Sequence, residues 1–379
     1  MSDPIIYVGM DVHKDSITMA ILPDGADGDA ARLERIPNEL SRLRRLLARL
    51  ARAGRIRACY EASGAGYVLQ RTLTVWGYDC EVIAPGLIPT RPAERRKHDK
   101  HDAIQLARLY RAGELTVIRI PSESEERVRD LVRCRETLHR ELVRSRHYVV
   151  KFLARRGYVY RAGTNWTQPY WRWLRQLQGS GELAAEDRTV LGEYLALVEY
   201  TSQRRDELDR QIEALALTPA YEATVARLRC FRGIETHAAM VLASELGDWR
   251  RFGSPRELMA YLGLVPSEHS SGPRERRGAI TKAGNSRCRH VLLQAAWAYR
   301  YQPRLSVALR ARQRGQPAAT VAHAWKAQHR LHKVYSRLTY RKRAPVAVVA
   351  VARELVGFLW AVLQDVEPAT AATPLAAVA

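Results

Sequence analysis

The stretch Ile5-Ile-Tyr-Val-Gly-Met-Asp11 decides the fold, because it is a continuous apolar run that ends on a carboxylate. Short apolar runs of this kind, bounded by turn signals, are typical of strands covered on both faces. Residues 16–22 form a second run, and residues 12–15 are a connection short enough for a hairpin. A third run, residues 56–61, also ends on an acid. The opening of the chain therefore predicts a sheet with carboxylates at the ends of two strands.

The intervening and following segments alternate between helical and strand-like patterns. Leucines recur at helical spacing across residues 40–53, a further helix is predicted at 66–75, and a short strand at 80–84 is stopped by a Pro-Gly pair. Another helical stretch, residues 104–109, follows the sequence Lys-His-Asp-Lys-His-Asp-Ala. A hairpin followed by alternating helices and strands is the order of a ribonuclease-H-like domain. Residues 1–118 are therefore interpreted as an α/β domain of that kind.

Four carboxylates in this domain stand out by position: Asp11 and Glu61 at strand ends, and Asp99 and Asp102 just before a helical stretch. Oxygen ligands suit Mg²⁺ (or Mn²⁺), and two such ions about 3.5–4 Å apart can clamp a phosphodiester for in-line attack. Any one of the four alone is more simply one of the chain's 40 acids. As a set they predict a divalent metal site.

The charge of the chain indicates a polyanionic partner. Its formal net charge is +21 and its isoelectric point is about 10.1. Between Arg274 and Arg343 there are eighteen Lys or Arg residues and a single acid, Glu275. A solvated basic helical surface usually carries interspersed acids, whereas neutralisation of phosphates rewards a one-sided distribution. The composition therefore favours nucleic acid, without distinguishing DNA from RNA.

Cysteine usage and hydropathy favour a cytoplasmic protein. The five cysteines are scattered and lack the paired spacing of a zinc site or a disulfide framework. No signal-type leader is expected before the first strand. The longest apolar stretch, residues 344–363, is interrupted by charged residues and a proline, so we predict a buried helix and no membrane association. Residues 367–379, rich in Ala, Pro and Thr, are predicted to be a disordered tail.

Residues 119–217 predict a helical coiled-coil linker. Two series of mostly apolar residues at three- and four-residue spacing predict either an antiparallel helical hairpin or a dimerising coiled coil, although Arg135 and Arg205 interrupt them. Between the two series, the insert of residues 163–177 contains three tryptophans: Trp166, Trp171 and Trp173. These rings suit stacking on unpaired bases and a local core at the turn of the hairpin equally well.

Residues 222–366 predict a mostly α C-terminal domain with a helix-hairpin-helix-like element at residues 228–239. In such an element a glycine turn precedes a helix whose first amides can meet a phosphate. Glu235 occupies the position of the usual second glycine and puts a negative charge there. We therefore expect the element to pack helices together and do not expect it to bind phosphate.

The segment of residues 261–290 contains, in order, Gly-Leu-x-Pro, Ser-Gly, Arg-Gly and Ile-Thr-Lys-x-Gly-Asn. It resembles the C-terminal transposase domain of the DEDD insertion-sequence transposases, which are understood as bridge-RNA-guided serine recombinases. The N-terminal stretches Gly-Met-Asp-Val-His-Lys, Tyr-Glu-Ala-Ser-Gly and Lys-His-Asp-Lys-His-Asp-Ala resemble the RuvC-like domain of the same family. The resemblance covers nearly the whole chain, from Tyr7 to about Trp360.

The resemblance implies that a serine and a set of four acids have different catalytic roles. Ser271, or its neighbour Ser270, would attack a DNA phosphodiester and become covalently joined to a strand end. The acids Asp11, Glu61, Asp99 and Asp102, supplied by another protomer, would bear the metal and complete a composite site. Residues expected to contact nucleic acid surround the serine or belong to the aromatic insert: Arg274, Arg276, Arg277, Lys282, Asn285, Arg287, Arg289, Trp166, Trp171 and Trp173.

The family picture also includes partners. Donor and target DNA would be recognised through a guide (bridge) RNA encoded in the element. Helices with apolar seams suit a dimer, and strand exchange at two sites suggests that dimers assemble into a tetramer.

Three functions are compatible with these features. The leading one is a transposase that excises and inserts its element by serine-linked strand exchange. The second is a metal-dependent RuvC-like nuclease or junction resolvase in which water is the nucleophile, although such an enzyme has no need of the Ser-Gly segment. The third is a non-catalytic nucleic-acid-binding protein, which would not need acids at all four positions.

Overall fold

The computed structural model describes residues 4–27, 31–89, 99–268 and 277–366, with the side chains of residues 99, 100 and 277 left out. The chain divides into two compact units, Met1–Ile120 and Pro121–Ala379. Several sequence predictions fall outside the described residues: Ser270, Ser271, Arg274, Arg276 and the tail at 367–379.

Unit 1 is built on a five-stranded sheet. Its strands are β1 (Ile5–Val12), β2 (Ser16–Pro23), β3 (Arg32–Pro37), β4 (Arg55–Glu61) and β5 (Asp79–Ile83). Across the sheet the order is β3-β2-β1-β4-β5, with antiparallel pairs from β3 to β1 and parallel pairs from β1 to β5. The predicted N-terminal α/β fold is confirmed.

Helices cover both faces of this sheet. One face carries α1 (Leu40–Leu50) and α2 (Val68–Val75), whose leucines pack with side chains such as Val8 and Met10 of β1. The other face carries α3 (Asp99–Ala112), which packs on Tyr7 of β1 and Cys59 of β4. Because both faces are covered, the central strands are continuous apolar runs.

Unit 2 begins with a long helical hairpin formed by α4 (Glu123–Arg155), α5 (Gln168–Gly179) and α6 (Ala185–Ala216). A capping box between Ser122 and Glu125 starts α4. The Arg135 guanidinium of α4 donates two hydrogen bonds, of 2.7 and 2.9 Å, to the Asp209 carboxylate near the end of α6. At the other end of the hairpin Phe152 contacts Tyr194, so α4 and α6 run antiparallel within one chain. Arg135 interrupts the apolar series, but its charge is paired by Asp209 and α4 continues past it.

The rest of unit 2 is mostly helical, as predicted. Its helices are α7 (Glu222–Leu228), α8 (Thr236–Leu246), α9 (Pro255–Tyr261), α10 (Ser286–Ala296), α11 (Val307–Gln313), α12 (Ala318–Thr339) and α13 (Ala344–Val362). A small antiparallel strand pair, β6 (Pro266–Glu268) and β7 (Arg277–Ile280), lies between α9 and α10 in the chain. Within the described residues, α13 alone is long and apolar enough to cross a membrane by length and composition. It packs in the core of unit 2 through buried residues such as Val351 and Leu355.

Candidate active site

Asp11 and Glu61 end neighbouring parallel strands on the same face of the sheet. The register of β1 and β4 pairs Gly9 with Cys59 and Met10 with Tyr60, so Asp11 and Glu61 are the next residues of the two strands. Side chains alternate between faces along a strand, which puts Asp11 on the face of Tyr7 and Glu61 on the face of Cys59. Tyr7 and Cys59 both pack under α3. Both acids therefore lie on the α3 side of the sheet.

A close approach at Gly9 sets the position of α3. A β-carbon built on Gly9 would lie 2.4 Å from the carbonyl oxygen of Ala103 and 2.5 Å from the amide nitrogen of Ala107. Only a residue without a side chain lets the helix backbone come this near to β1. Asp102 directly precedes Ala103 in the first turns of α3, and Asp99 is the first residue of that helix. The contact thus brings the start of α3 to the strand that bears Asp11.

The carboxylate of Asp11 is partly buried and has a defined partner. The exposed fraction of its side chain is 20%, and its Oδ2 lies 3.0 Å from Nε2 of His13. Glu61 is exposed, and Asp102 is half-buried. His13 therefore orients Asp11 near the carboxyl end of β1.

The described acids have the chemistry that a metal site requires, but their side chains do not form a ligand cluster. Carboxylate oxygens are the ligands that Mg²⁺ prefers. Among the described side chains, which exclude that of Asp99, no three His, Cys, Asp or Glu residues come close enough together to hold a metal ion. The fold brings Asp11, Glu61 and Asp102 to one face of one sheet, without forming a closed ligand cluster from them.

The predicted nucleophile belongs to the connection between β6 and β7. The register of these strands pairs Pro266 with Ile280 and Glu268 with Arg277. The segment of residues 269–276, which contains Ser270 and Ser271, therefore starts and ends on two paired strands. A β-carbon on Gly278 would lie 2.5 Å from the hydroxyl oxygen of Ser267, so a larger residue there would require the Ser267 side chain to rotate.

Two further glycines of the predicted motifs allow close contact where the chain segments that precede and follow the strand pair cross. A β-carbon on Gly263 would lie 2.2 Å from the carbonyl oxygen of Ala283, and one on Gly284 would lie 1.9 Å from that of Tyr261. Both glycines also have positive φ angles, of 63° and 68°. The Gly-Leu-x-Pro and Lys-x-Gly-Asn motifs thus have a structural reason, since each supplies one glycine to this crossing.

Asn285 and Arg289 use their polar groups inside the protein. The Asn285 side-chain oxygen caps α10 by accepting 3.0 Å hydrogen bonds from the amides of Arg287 and Cys288. Its amide nitrogen donates to Oε2 of Glu245 at 2.8 Å. Arg289 donates from Nη1 to the carbonyl oxygens of Leu262 and Ala283, both at 2.9 Å. These contacts give both residues a structural role, and their contact with nucleic acid stays a prediction, as does that of the exposed Lys282.

Glu245 of α8 is a buried carboxylate that the sequence patterns did not single out. Its side chain is 2% exposed and accepts hydrogen bonds from both Nε and Nη2 of Arg133, at 2.7 and 2.9 Å. Arg129 lies 3.9 Å away, and Arg287, which also pairs with Glu136, lies 4.0 Å away. Burial alone would raise the pKa of Glu245, but the hydrogen bonds and charges of Arg133, Asn285 and Arg129 outweigh it and lower that pKa. The network joins α4, α8 and the start of α10.

The tryptophans of the aromatic insert form a local core with neighbouring tyrosines. Trp166 contacts Tyr170 and Trp171 at centroid distances of 5.2 and 5.6 Å, and Trp173 contacts Tyr170 at 5.5 Å. Tyr170 is 2% exposed, whereas the three tryptophans are half-buried. The guanidinium of Arg146 lies 5.1 Å from the Trp166 ring. The local-core alternative describes this packing, and base stacking by the partly exposed rings stays a prediction.

The helix-hairpin-helix-like element packs α7 and α8 through a glycine turn. Gly233 has a φ of 83°, and a β-carbon there would lie 2.6 Å from the carbonyl oxygen of Ala295 in α10. Glu235, which precedes α8, pairs with Nη1 of Arg312 at 3.0 Å. The negative charge expected to oppose phosphate is therefore shared with an arginine, a partner that the local sequence does not reveal.

Comparison with known proteins gives consistent matches along the chain. A DEDD transposase model of the IS110 type matches residues 8–156, and a model described as the transposase IS116/IS110/IS902 family matches residues 225–308. A putative transposase of Sinorhizobium fredii is 38% identical over 373 residues, which cover 96% of this chain and 90% of the relative. The transposase for insertion sequence element IS1533 of Leptospira borgpetersenii is 32% identical over 342 residues, 89% of this chain and 98% of that protein.

The α/β unit with its strand-end acids, the basic helical unit and these matches define a transposase, an enzyme that processes DNA. More closely, the chain belongs to the IS116/IS110/IS902 family of insertion-sequence transposases.

Proposed function

We propose that this transposase excises and inserts its element by serine-linked strand exchange, with Ser271 as the nucleophile and a divalent metal held by Asp11, Glu61, Asp99 and Asp102. The observation that carries the metal-dependent part is the common face of Asp11 and Glu61, with the start of α3 brought onto it at Gly9. The strand order β3-β2-β1-β4-β5, antiparallel on one side and parallel on the other, supports the ribonuclease-H-like interpretation by analogy.

The serine part rests on the Ser-Gly step in the segment joining β6 to β7. In the proposed step the Ser271 hydroxyl gives its proton to a base, and its Oγ forms a bond to the phosphorus of a DNA phosphodiester. The bond from that phosphorus to one bridging oxygen of the strand breaks, and the departing oxygen takes up a proton. Rejoining reverses this exchange with the hydroxyl of a different strand end, so the number of phosphodiester bonds is conserved without ATP.

A serine hydroxyl attacks poorly without help, which explains why acids and a metal would accompany it. A divalent ion at this site would stabilise the charge on the attacking and departing oxygens. In this proposal His13 keeps the Asp11 carboxylate oriented at the strand end, and the Gly9 contact sets how far the α3 acids stand from it.

Nucleic acid would lie along the basic C-terminal part of the chain. The candidates for phosphate contact are Arg274, Arg276, Arg277, Lys282 and Arg287, because a single arginine more often holds the DNA backbone than the reacting phosphate. Donor and target DNA, a guide RNA, assembly of dimers into a tetramer and action in the cytoplasm complete the proposal and rest on the family resemblance.

A covalent-trapping assay tests the proposal. The full chain is incubated with donor DNA, Mg²⁺ and the flanking transcript of the element, and protein–DNA adducts are separated under denaturing conditions. We expect an adduct with the wild type and with Ser270→Ala, and none with Ser271→Ala or Asp11→Ala. Strand cleavage without any adduct, unaffected by Ser271→Ala, would overturn the proposal in favour of a nuclease that uses water.

A further inference from the structure

A cleft of about 530 Å³ opens between the middle of α4, the start of α8 and the first turns of α10. Its volume falls within the range of about 300–1,000 Å³ typical of sites that bury a small molecule. The cleft lies wholly within unit 2 and is lined by none of the acids proposed to hold metal.

The walls of the cleft carry cations, and one of them has no acidic partner in the described part of the chain. Arg135 is engaged by Asp209, and Arg287 by Glu136. Arg140 is exposed and donates from Nη2 to the hydroxyl of Thr137 at 3.0 Å. Its charge is therefore available to a phosphate at the mouth of the cleft.

His237, on the α8 side, carries a polar atom that the protein leaves unsatisfied. Its Nδ1 is buried and has no hydrogen-bond partner among the described residues. Burial, followed by the positive charge of Arg135, lowers the pKa of His237 to about 4. The ring is therefore neutral at pH 7 and offers one donor and one acceptor nitrogen. His237 lines the cleft, and an unsatisfied polar atom beside a cleft points to a ligand or water as its missing partner.

The floor of the cleft, formed by Ala238 and Val291, is apolar. Ala238 of α8 and Val291 of α10 contribute small aliphatic surfaces, and Val291 is almost fully buried. Exposed polar side chains, Gln294 and His290, stand on the α10 side. An apolar floor with an amide, a neutral imidazole and an arginine around it offers an unpaired base apolar contact and hydrogen bonds, and offers its phosphate a cation.

We propose that this cleft binds a single unpaired nucleotide of the nucleic acid on which the transposase acts, with the base on the Ala238–Val291 floor and the phosphate at Arg140. The inference rests on the proposed function only in that the chain engages nucleic acid. It adds a site that recognises an extruded nucleotide and is formed by residues other than the serine and the metal-bearing acids.

The test compares two labelled duplexes that differ in one unpaired nucleotide. One carries a central single-nucleotide bulge and the other is fully paired. Binding of the full chain is measured by fluorescence anisotropy in EDTA, which removes the divalent metal that the proposed cleavage needs. We expect the wild type to prefer the bulged duplex by about fivefold or more, the ratio that corresponds to roughly 1 kcal/mol from removing one base from water. Arg140→Ala, Gln294→Ala and the cleft-filling variant Ala238→Leu should each bring this ratio toward one.

Arg144→Ala is the matched control, because Arg144 is exposed on the same helix one turn away and pairs with Glu141. It should leave the preference unchanged. Equal wild-type affinity for the two duplexes would overturn the inference, as would a preference that survives all three cleft variants. A preference lost in the cleft variants, in a protein that forms no covalent adduct, would support the cleft and contradict only the serine mechanism.

Discussion

Gly9 of β1 and Ala103 of α3 pack so closely that a β-carbon on Gly9 would lie 2.4 Å from the Ala103 carbonyl oxygen. Asp11 is two residues further along the strand, and Asp102 directly precedes Ala103 on the helix. The close contact between Gly9 and Ala103 packs α3 against the sheet, and it therefore also sets the spacing of the candidate metal ligands. Folding of unit 1 and assembly of its acids are consequently linked.

This link predicts that Gly9→Ala lowers the stability of unit 1, although it adds only one methyl group. The obstructing atoms are backbone atoms, which move only with the whole helix, so we expect a loss of about 1–3 kcal/mol in the free energy of unfolding. Hydrogen exchange of peptides covering β1 and α3 should rise at the same time. Gly64→Ala is the control, because a β-carbon there meets nothing within 4 Å. Equal stability of the two variants would contradict the packing argument.

The buried Glu245 network predicts a specific response to acid. Because the folded-state pKa of Glu245 is lowered, its stabilisation is fully present above its unfolded pKa, near 4.5, and is lost as the pH falls through the lower folded value. Glu245→Ala should cost about 3–5 kcal/mol at pH 7, since it leaves Arg133 and Arg129 without their carboxylate. Urea midpoints of the wild type should fall steeply below pH 4.5, and those of Glu245→Gln less so.

Glu141→Gln provides the comparison for that experiment, since the Arg144–Glu141 pair is exposed on α4. It should change stability by less than about 1 kcal/mol at any pH. If the urea midpoint of Glu245→Gln fell in acid as steeply as that of the wild type, titration of Glu245 would not be the cause of the loss.

Within the Ile-Thr-Lys-x-Gly-Asn motif, Lys282 is predicted to contact nucleic acid, whereas Asn285 caps a helix. Lys282 has a φ of 57°, which asparagine tolerates, so Lys282→Asn removes a charge without backbone strain. If Lys282 contacts a phosphate, the slope of log affinity against log salt should fall by about 1 while the melting temperature is unchanged. Asn285→Ala should instead cost about 1 kcal/mol or more of stability through the lost helix cap. An unchanged salt slope in Lys282→Asn would remove this residue from the interface.

Much of the fold was predictable because its strands are buried on both faces. The runs predicted at 5–11, 16–22 and 56–61 are β1, β2 and β4, within one residue at each end. The edge strand β3 (Arg32–Pro37) was missed, because its residues are exposed or half-buried and no continuous apolar run marks it. Helix α3 starts five residues before its predicted apolar stretch at 104–109, since its first turns are polar.

The candidate site was predictable only where it depends on local chain geometry. Register places Asp11 and Glu61 side by side, and strand ends are readable from sequence. The contacts of Glu245, Asn285 and Arg289 join segments far apart in the chain, so a motif could mark Asn285 and Arg289 but could not show that their polar groups are used internally. The charge of Glu235 is likewise paired by Arg312, which lies 77 residues later and which no local motif reveals.

Peptide mapping of the covalent adduct by mass spectrometry tests serine-linked strand exchange most directly. The wild-type chain is trapped on donor DNA, digested with nuclease and protease, and searched for a peptide that carries a residual nucleotide. We expect one modified peptide from within residues 261–290, with the nucleotide on Ser271. A nucleotide on Ser270 would correct the choice of nucleophile, whereas modification of a different segment, or cleaved DNA with no modified peptide, would contradict serine-linked strand exchange by this transposase.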